Sequence, residues 1–147
     1  MSDGRPADRL PPGAADAAGA PKAKGNRGAI NPRRRAREFA IQGLYQHLVG
    51  GQDTAAIEAQ AAGVPGFGKG DTELYRSLLH DTLDSESELI ALIVPHLDRK
   101  WEEVSPIERS ILLLGACELS AYPQTPYRVI INEAIELAKT FGGTDGH

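Results

Sequence analysis

Apolar residues in this chain recur at intervals of three and four, and nowhere do they alternate with polar ones over a strand-length run. At 100° per residue, Ala36, Ala40, Leu44 and Leu48 fall on one arc with Ile41 at its edge. Arg34, Glu38, Gln42 and Tyr45 fall on the opposite stripe. Asn31-Pro32 marks the start of this first helix and Gly50-Gly51 its end. Asp53 or Thr54 can cap a short second helix reaching Ala62, and the glycine-rich stretch 63–70 is a loop. Asp71-Thr72 opens a third helical region with Leu74, Leu78, Leu79 and Leu83 at helical spacing. Ser85-Glu-Ser-Glu88 has the form of a capping box, so the helix bends or restarts there. Leu89, Leu92, Ile93 and Leu97 then carry the apolar face past Pro95.

The clearest helix start is Ser105-Pro106-Ile107-Glu108, with Ser at the N-cap, Pro at the first helical position and Glu at the third. The run from Ile111 to Leu119 is apolar nearly all round, which places this helix at the centre of a bundle. Tyr122-Pro123 ends it and Thr125-Pro126 starts another. Val129, Ile130, Ala134, Ile135, Leu137, Ala138 and Phe141 are expected to form that helix's buried face, and Gly142-Gly143 to end it. Thr144-Asp145 is then a further N-cap with no helix behind it, and the preceding apolar face is one partner short. The pattern predicts an all-α fold of five or six visible helices in a compact bundle, cut before its last helix.

Composition adds a division. Residues 1–38 hold nine of the 16 Lys/Arg and four of the 20 Asp/Glu, so a basic N-terminal arm precedes an acidic body. Residues 1–30 are rich in Gly, Ala and Pro, with Leu10 and Ile30 as the larger aliphatics. They cannot bury enough surface to offset ordering entropy and are expected to be disordered, leaving residues 31–147 as the folded domain. No apolar stretch approaches the roughly 18 residues of a membrane span. No secretory signal is visible, so a cytoplasmic protein is the default.

Candidate chemistry is sparse. The lone Cys117 sits in an apolar run, and His47, His80, His96 and His147 lack ligand spacing. Lys69 belongs to a loop without the phosphate-binding glycine pattern, and Asp81, Asp84, Glu86 and Glu88 suit a solvated face better than a metal site. No nucleophile and base can be paired, so neither enzymatic activity nor a cofactor is expected. What remains is Arg33-Arg34-Arg35-Ala36-Arg37, four arginines in five positions. A solvated basic helix start is the plain alternative. Cations are nevertheless poorly placed at a helix N-terminus, where the macrodipole favours anions, so an anionic ligand such as nucleic-acid phosphate accounts for them better.

Three segments carry a family resemblance. Arg33 to Tyr45, reading Arg-Arg-Arg-Ala-Arg-Glu-x-Ala-x-Gln-x-Leu-Tyr, resembles the first helix of the NusB transcription antitermination factors. Glu108-Arg109 with Leu112 to Glu118 resembles their central helix, and Pro126 to Asp145 their most recognisable run. The resemblance covers about residues 31–147. It implies a non-enzymatic protein that pairs with NusE, which is also a small-subunit ribosomal protein. The pair would bind the boxA element of single-stranded nascent RNA and help assemble the antitermination complex on RNA polymerase. It implies RNA contacts at Arg33, Arg34, Arg35 and Arg37, with Gln42, and at Asp145; His96 and Arg99 match positions near the RNA path. It implies NusE contacts at Tyr45, Glu102 and Glu108. Family members continue beyond His147 with a final helix. Phosphate contacts position RNA without choosing its sequence, and a chain with 5% aromatics is poorly stocked for base stacking, so a partner sharing the RNA surface would make up the deficit. Two alternatives stand beside this reading: an accessory domain like that of some ribosomal RNA cytosine methyltransferases, and a homodimeric interaction protein.

Overall fold

The computed structural model describes residues 31–145, with side chains through Gly142. Six helices follow one another: α1 (Pro32–Gly50), α2 (Thr54–Ala62), α3 (Thr72–Asp84), α4 (Glu86–Ile93), α5 (Pro106–Ala121) and α6 (Tyr127–Asp145). Short 3-10 turns at Phe67–Lys69, Val94–His96 and Trp101–Glu103 lie in the connections. Among the described residues there is no strand. The expected disorder over 1–30 and the expected further helix beyond His147 concern residues outside those described.

Side-chain caps set most helix starts. Asn31 Oδ1 accepts from the backbone N–H groups of Arg33 and Arg34, Asp53 accepts from Ala56, Asp71 from Leu74, and Ser105 Oγ from Glu108. Each occupies one or more of the orphan donors of a first helical turn. Ser85 differs from expectation. It separates α3 from α4 and its own N–H closes the end of α3 on Asp81 and Leu83, but its side chain makes no capping bond to α4.

α1 and α3 start side by side and run in the same direction. The Asp71 N–H donates to Pro32 O at 3.0 Å, Phe39 lies edge-on to Tyr75 at 6.3 Å, and Gly43 faces Leu79 further along. Phe67, from the loop between α2 and α3, completes an edge-to-face aromatic group at 5.1 Å from Phe39 and 5.2 Å from Tyr75. α5 packs against α1, α3, α4 and α6. Its centre is the bundle core, with Ile107, Leu113, Leu114 and Cys117 buried.

The apolar arcs are wider than the buried ones. α6 buries Ile130, Leu137 and Phe141 with Ala134 half-buried, whereas Val129, Ile135 and Ala138, expected on the same face, are exposed together with Tyr127 and Ile131. Leu112 and Leu119 of α5 and Leu92 of α4 also reach solvent. α4 stops at Ile93 because Pro95 supplies no N–H to continue the ladder. α6, in contrast, continues through Gly142 and Gly143 to Asp145, so the expected helix stop and restart do not occur. A glycine costs a helix only about 1 kcal/mol relative to alanine, which does not oblige the chain to turn.

One feature of the core is ionic. Arg37 and Glu118 are each 2% exposed and face one another between α1 and α5. Arg37 Nε donates to Oε1 at 3.0 Å and Nη2 to Oε2 at 2.9 Å. Burying two charges is costly, and the geometry recovers that cost only while both are present. Arg37→Ala is therefore expected to destabilise the fold by about 3–5 kcal/mol, whereas the Arg37→Met/Glu118→Leu double variant should lose far less. Urea unfolding of the single and the double variant measures the difference.

Gly43 makes a second test. A Cβ there would lie 2.7 Å from Ile57 Cγ2 and 3.2 Å from Leu79 Cδ1, where α2 and α3 close on α1. Overpacking of this kind costs about 1–3 kcal/mol, against about 1 kcal/mol gained in helix propensity. Gly43→Ala should thus lower the urea midpoint with the slope unchanged.

Candidate nucleic-acid interface

The four arginines at the head of α1 take four different environments, set by their angles on the helix. Arg33 points into solvent with its side chain 51% exposed, and its nearest carboxylate oxygen is Asp71 Oδ2 at 3.9 Å. Arg34 reaches across to α6, where Glu133 takes its guanidinium. Arg35 lies on the glycine-rich loop. A Cβ at Gly70 would come within 3.2–3.3 Å of Arg35 Cβ, Cγ and Cδ, so the missing side chain is what admits the arginine stem. Gly66, at φ +89°, turns the loop beneath the guanidinium end. Arg35 Nε is buried without a hydrogen-bond partner among the described residues.

Arg37 corrects the sequence reading. Its side chain is 3% exposed and tied to Glu118, so it offers nothing to an external phosphate. Its position three, four and seven residues before Ala40, Ile41 and Leu44 puts it in the middle of the buried arc. Glu118 was missed for the matching reason: it follows Ile111 and Leu114 by seven and four residues and so shares their buried stripe. A single charge inside an apolar stripe was the available signal, and each of the two makes sense only with the other.

Glu38 sits one turn beyond Arg34. Burial pushes its carboxyl above the usual carboxylate range, and Arg35 and Arg34 pull it back. The Arg34 guanidinium is held still more firmly in its charged form, first by its hydrogen bonds to Glu133. Gln42 is half-buried further along α1.

The remaining expected positions lie elsewhere in the fold. His96 and Arg99 are exposed on the connection between α4 and α5, with Arg99 Nε donating to Asp98 at 3.2 Å. The Asp145 side chain lies outside the described residues. Tyr45 is half-buried against the core from α1. Glu102 and Glu108 are both exposed near the start of α5. In the same segment the Arg109 guanidinium stands 5.8 Å from the Trp101 ring centroid while its Nε donates to the Val104 carbonyl. This bond braces the turn that presents the two acids. Ser105 engages Glu108 through its backbone N–H, which leaves the carboxylate on the surface.

A broad groove of about 620 Å³, lined by Asp71, Arg76, His80, Asp81 and Tyr122 among others, opens between α3 and the α5–α6 turn. It mixes both signs of charge. Its Asp81 accepts from Tyr122 Oη at 2.8 Å, and burial with this bond pushes the phenol upward. Among the described residues, no three His, Cys, Asp or Glu side chains gather to hold a metal ion, and no helix is long and apolar enough to cross a membrane.

Comparison with known proteins agrees with this architecture. Residues 34–147 match the model of the NusB family. The chain is 54% identical over 115 residues to a transcription antitermination protein NusB of Dechloromonas aromatica, covering 78% of this chain and 71% of that protein. It is 50% identical over 120 residues to the protein of the same name from Acidovorax sp. strain JS42, covering 82% and 68%. A third, from Aromatoleum aromaticum, is 55% identical over 115 residues, covering 78% and 79%. With the family model spanning nearly all of the described helical body and relatives sharing about half of the aligned residues, the chain belongs to the NusB family.

Proposed function

We propose that this chain is a transcription antitermination factor that binds boxA-type single-stranded RNA together with NusE and joins the antitermination complex on RNA polymerase. The observation that carries this reading is the head of α1. There Arg33, Arg34 and Arg35 are presented at a helix N-terminus of a protein whose relatives are named for antitermination. Arg33 is exposed, and the buried Nε of Arg35 has no hydrogen-bond partner among the described residues. Arg33 is therefore open to phosphate, and Arg35 adds its positive charge at the same corner. Arg37 is left out of the RNA contacts, for it belongs to the core. His96, Arg99, Gln42 and Asp145 stay in the reading as flanking positions. Tyr45, Glu102 and Glu108 form the NusE-facing side, where exposed acids suit a basic ribosomal protein.

Two measurements test this. Replacing Arg33 and Arg35 by alanine should weaken binding to boxA-type and scrambled single-stranded RNA alike. It should also make the salt dependence shallower by about 0.7 for each phosphate that is no longer neutralised. Unchanged affinity and slope would exclude the arginines as the phosphate-binding group. On the partner side, Glu108→Gln should leave helix content intact, because the capping bond uses the backbone N–H, yet weaken association with NusE. Truncating one member of a desolvated charge pair costs about 2–5 kcal/mol. Calorimetry showing equal affinity for NusE would restrict Glu108 to its place in the helix start.

A further inference from the structure

Arg34 is the one arginine at the head of α1 whose guanidinium is exposed in part and already occupied. Its Nε donates to Glu133 Oε1 at 3.1 Å and its Nη2 to Oε2 at 2.9 Å. This two-point fork fills the same guanidinium edge that a phosphate would take. The Arg34 side chain is 34% exposed and that of Glu133 14%, so the pair lies at the surface with the carboxylate on its inner side. Glu133 comes from α6, 99 residues along the chain. Glu136, one turn further on α6, adds its negative charge to the same guanidinium, as does Glu38 from α1. An arginine in a run that attracts polyanions is thus held by an acidic group of its own protein.

We propose that Glu133 is a selectivity-determining residue for RNA: its carboxylate occupies Arg34 in the place of a phosphate, and a nucleic acid engages Arg34 only by displacing it. This rests on the RNA-binding reading above. A carboxylate and a phosphodiester each carry one negative charge and offer two oxygens to the fork, so exchanging them one for one yields little. The exchange becomes favourable when the neighbouring phosphates are already held, as Arg33 and Arg35 would hold them. A strand in the right register therefore wins Arg34, and an incidental polyanion meets Glu133 as a repelling charge.

The experiment uses the full chain and its Glu133→Gln variant. Each is titrated with a boxA-type single-stranded RNA and a scrambled RNA of equal length over a series of salt concentrations. The variant should bind both RNAs more tightly, by about two- to fivefold, the range that a partly exposed charge pair supports. The gain should be larger for the scrambled strand, and the salt slope should steepen by about 0.7, the increment for one further neutralised phosphate. Glu133→Asp, which keeps the charge but shortens the reach of the fork, should fall between the two. In an Arg34→Ala background the Glu133→Gln change should have no effect. Wild-type binding of RNA with no change in affinity or slope on Glu133→Gln would overturn the proposal and leave the RNA reading intact. A thermally intact Glu133→Gln variant that binds RNA more weakly would also overturn it, since Glu133 would then be positioning Arg34 for RNA rather than withholding it. An equal gain in the Arg34→Ala background would reduce the effect to net charge and overturn it too. Failure of the wild-type chain to bind either RNA would remove the reading on which the proposal stands.

Discussion

The bundle depends on one buried ion pair. Arg37 and Glu118 hold α1 to α5 with two short charge-assisted bonds in a place from which water is excluded. Such a pair adds little net stability over a hydrophobic pair of the same size. What it adds is intolerance of alternatives. A rotation of α1 by one residue, or a slide by one turn, would leave two charges buried without partners, whereas a purely aliphatic seam of Ala36, Ala40, Ile41 and Leu44 could repack. The outward arginines precede Arg37 on the same rigid helix by two to four positions. Their directions are therefore fixed by the core, and the electrostatic surface inherits its geometry from an interaction that never reaches it.

The head of α1 then sorts its arginines by neighbour. Arg35 is shaped by glycines in the loop before α3, Arg34 by a carboxylate of α6, and Arg33 by solvent with Asp71 at a distance. A loop without the pattern of a phosphate cradle thus has a structural part in the cationic site, through backbone thin enough to let an arginine stem lie on it. The basic cluster and the glycine-rich loop act as one unit, although about 30 residues of chain that include α2 lie between them.

Much of the fold was legible because its determinants are local. Asn31, Asp53, Asp71 and Ser105 cap the helices that their spacing from apolar periodicity implied, and the apolar centre of α5 lies where an all-round apolar helix must lie. What could not be read was pairwise and distant. Arg37 looked like one more basic residue until Glu118, 81 positions away, gave it a partner. Arg34 and Glu133 each sit on the polar side of an amphipathic helix, and nothing in either helix alone says that the two meet. On α6, Val129 and Ile135 are as apolar as Ile130 and Leu137. Only the placement of α5 decides which of them is covered. The glycine pair at 142–143 was misread because glycine permits a turn without requiring one.

The parallel start of α1 and α3 has an electrical consequence. Each helix presents about half a positive charge at its N-terminus, arising from its aligned peptide groups. The Asp71 N–H bonded to Pro32 O sets those two ends against each other, beside Arg33. Part of the positive potential at this corner therefore belongs to the backbone. It does not titrate, and no single side-chain substitution removes it. The neutral cap Asn31 leaves the α1 end uncompensated, while the anionic Asp71 offsets that of α3. The arginines therefore add to a positive backbone potential that the chain's path through space has already laid down.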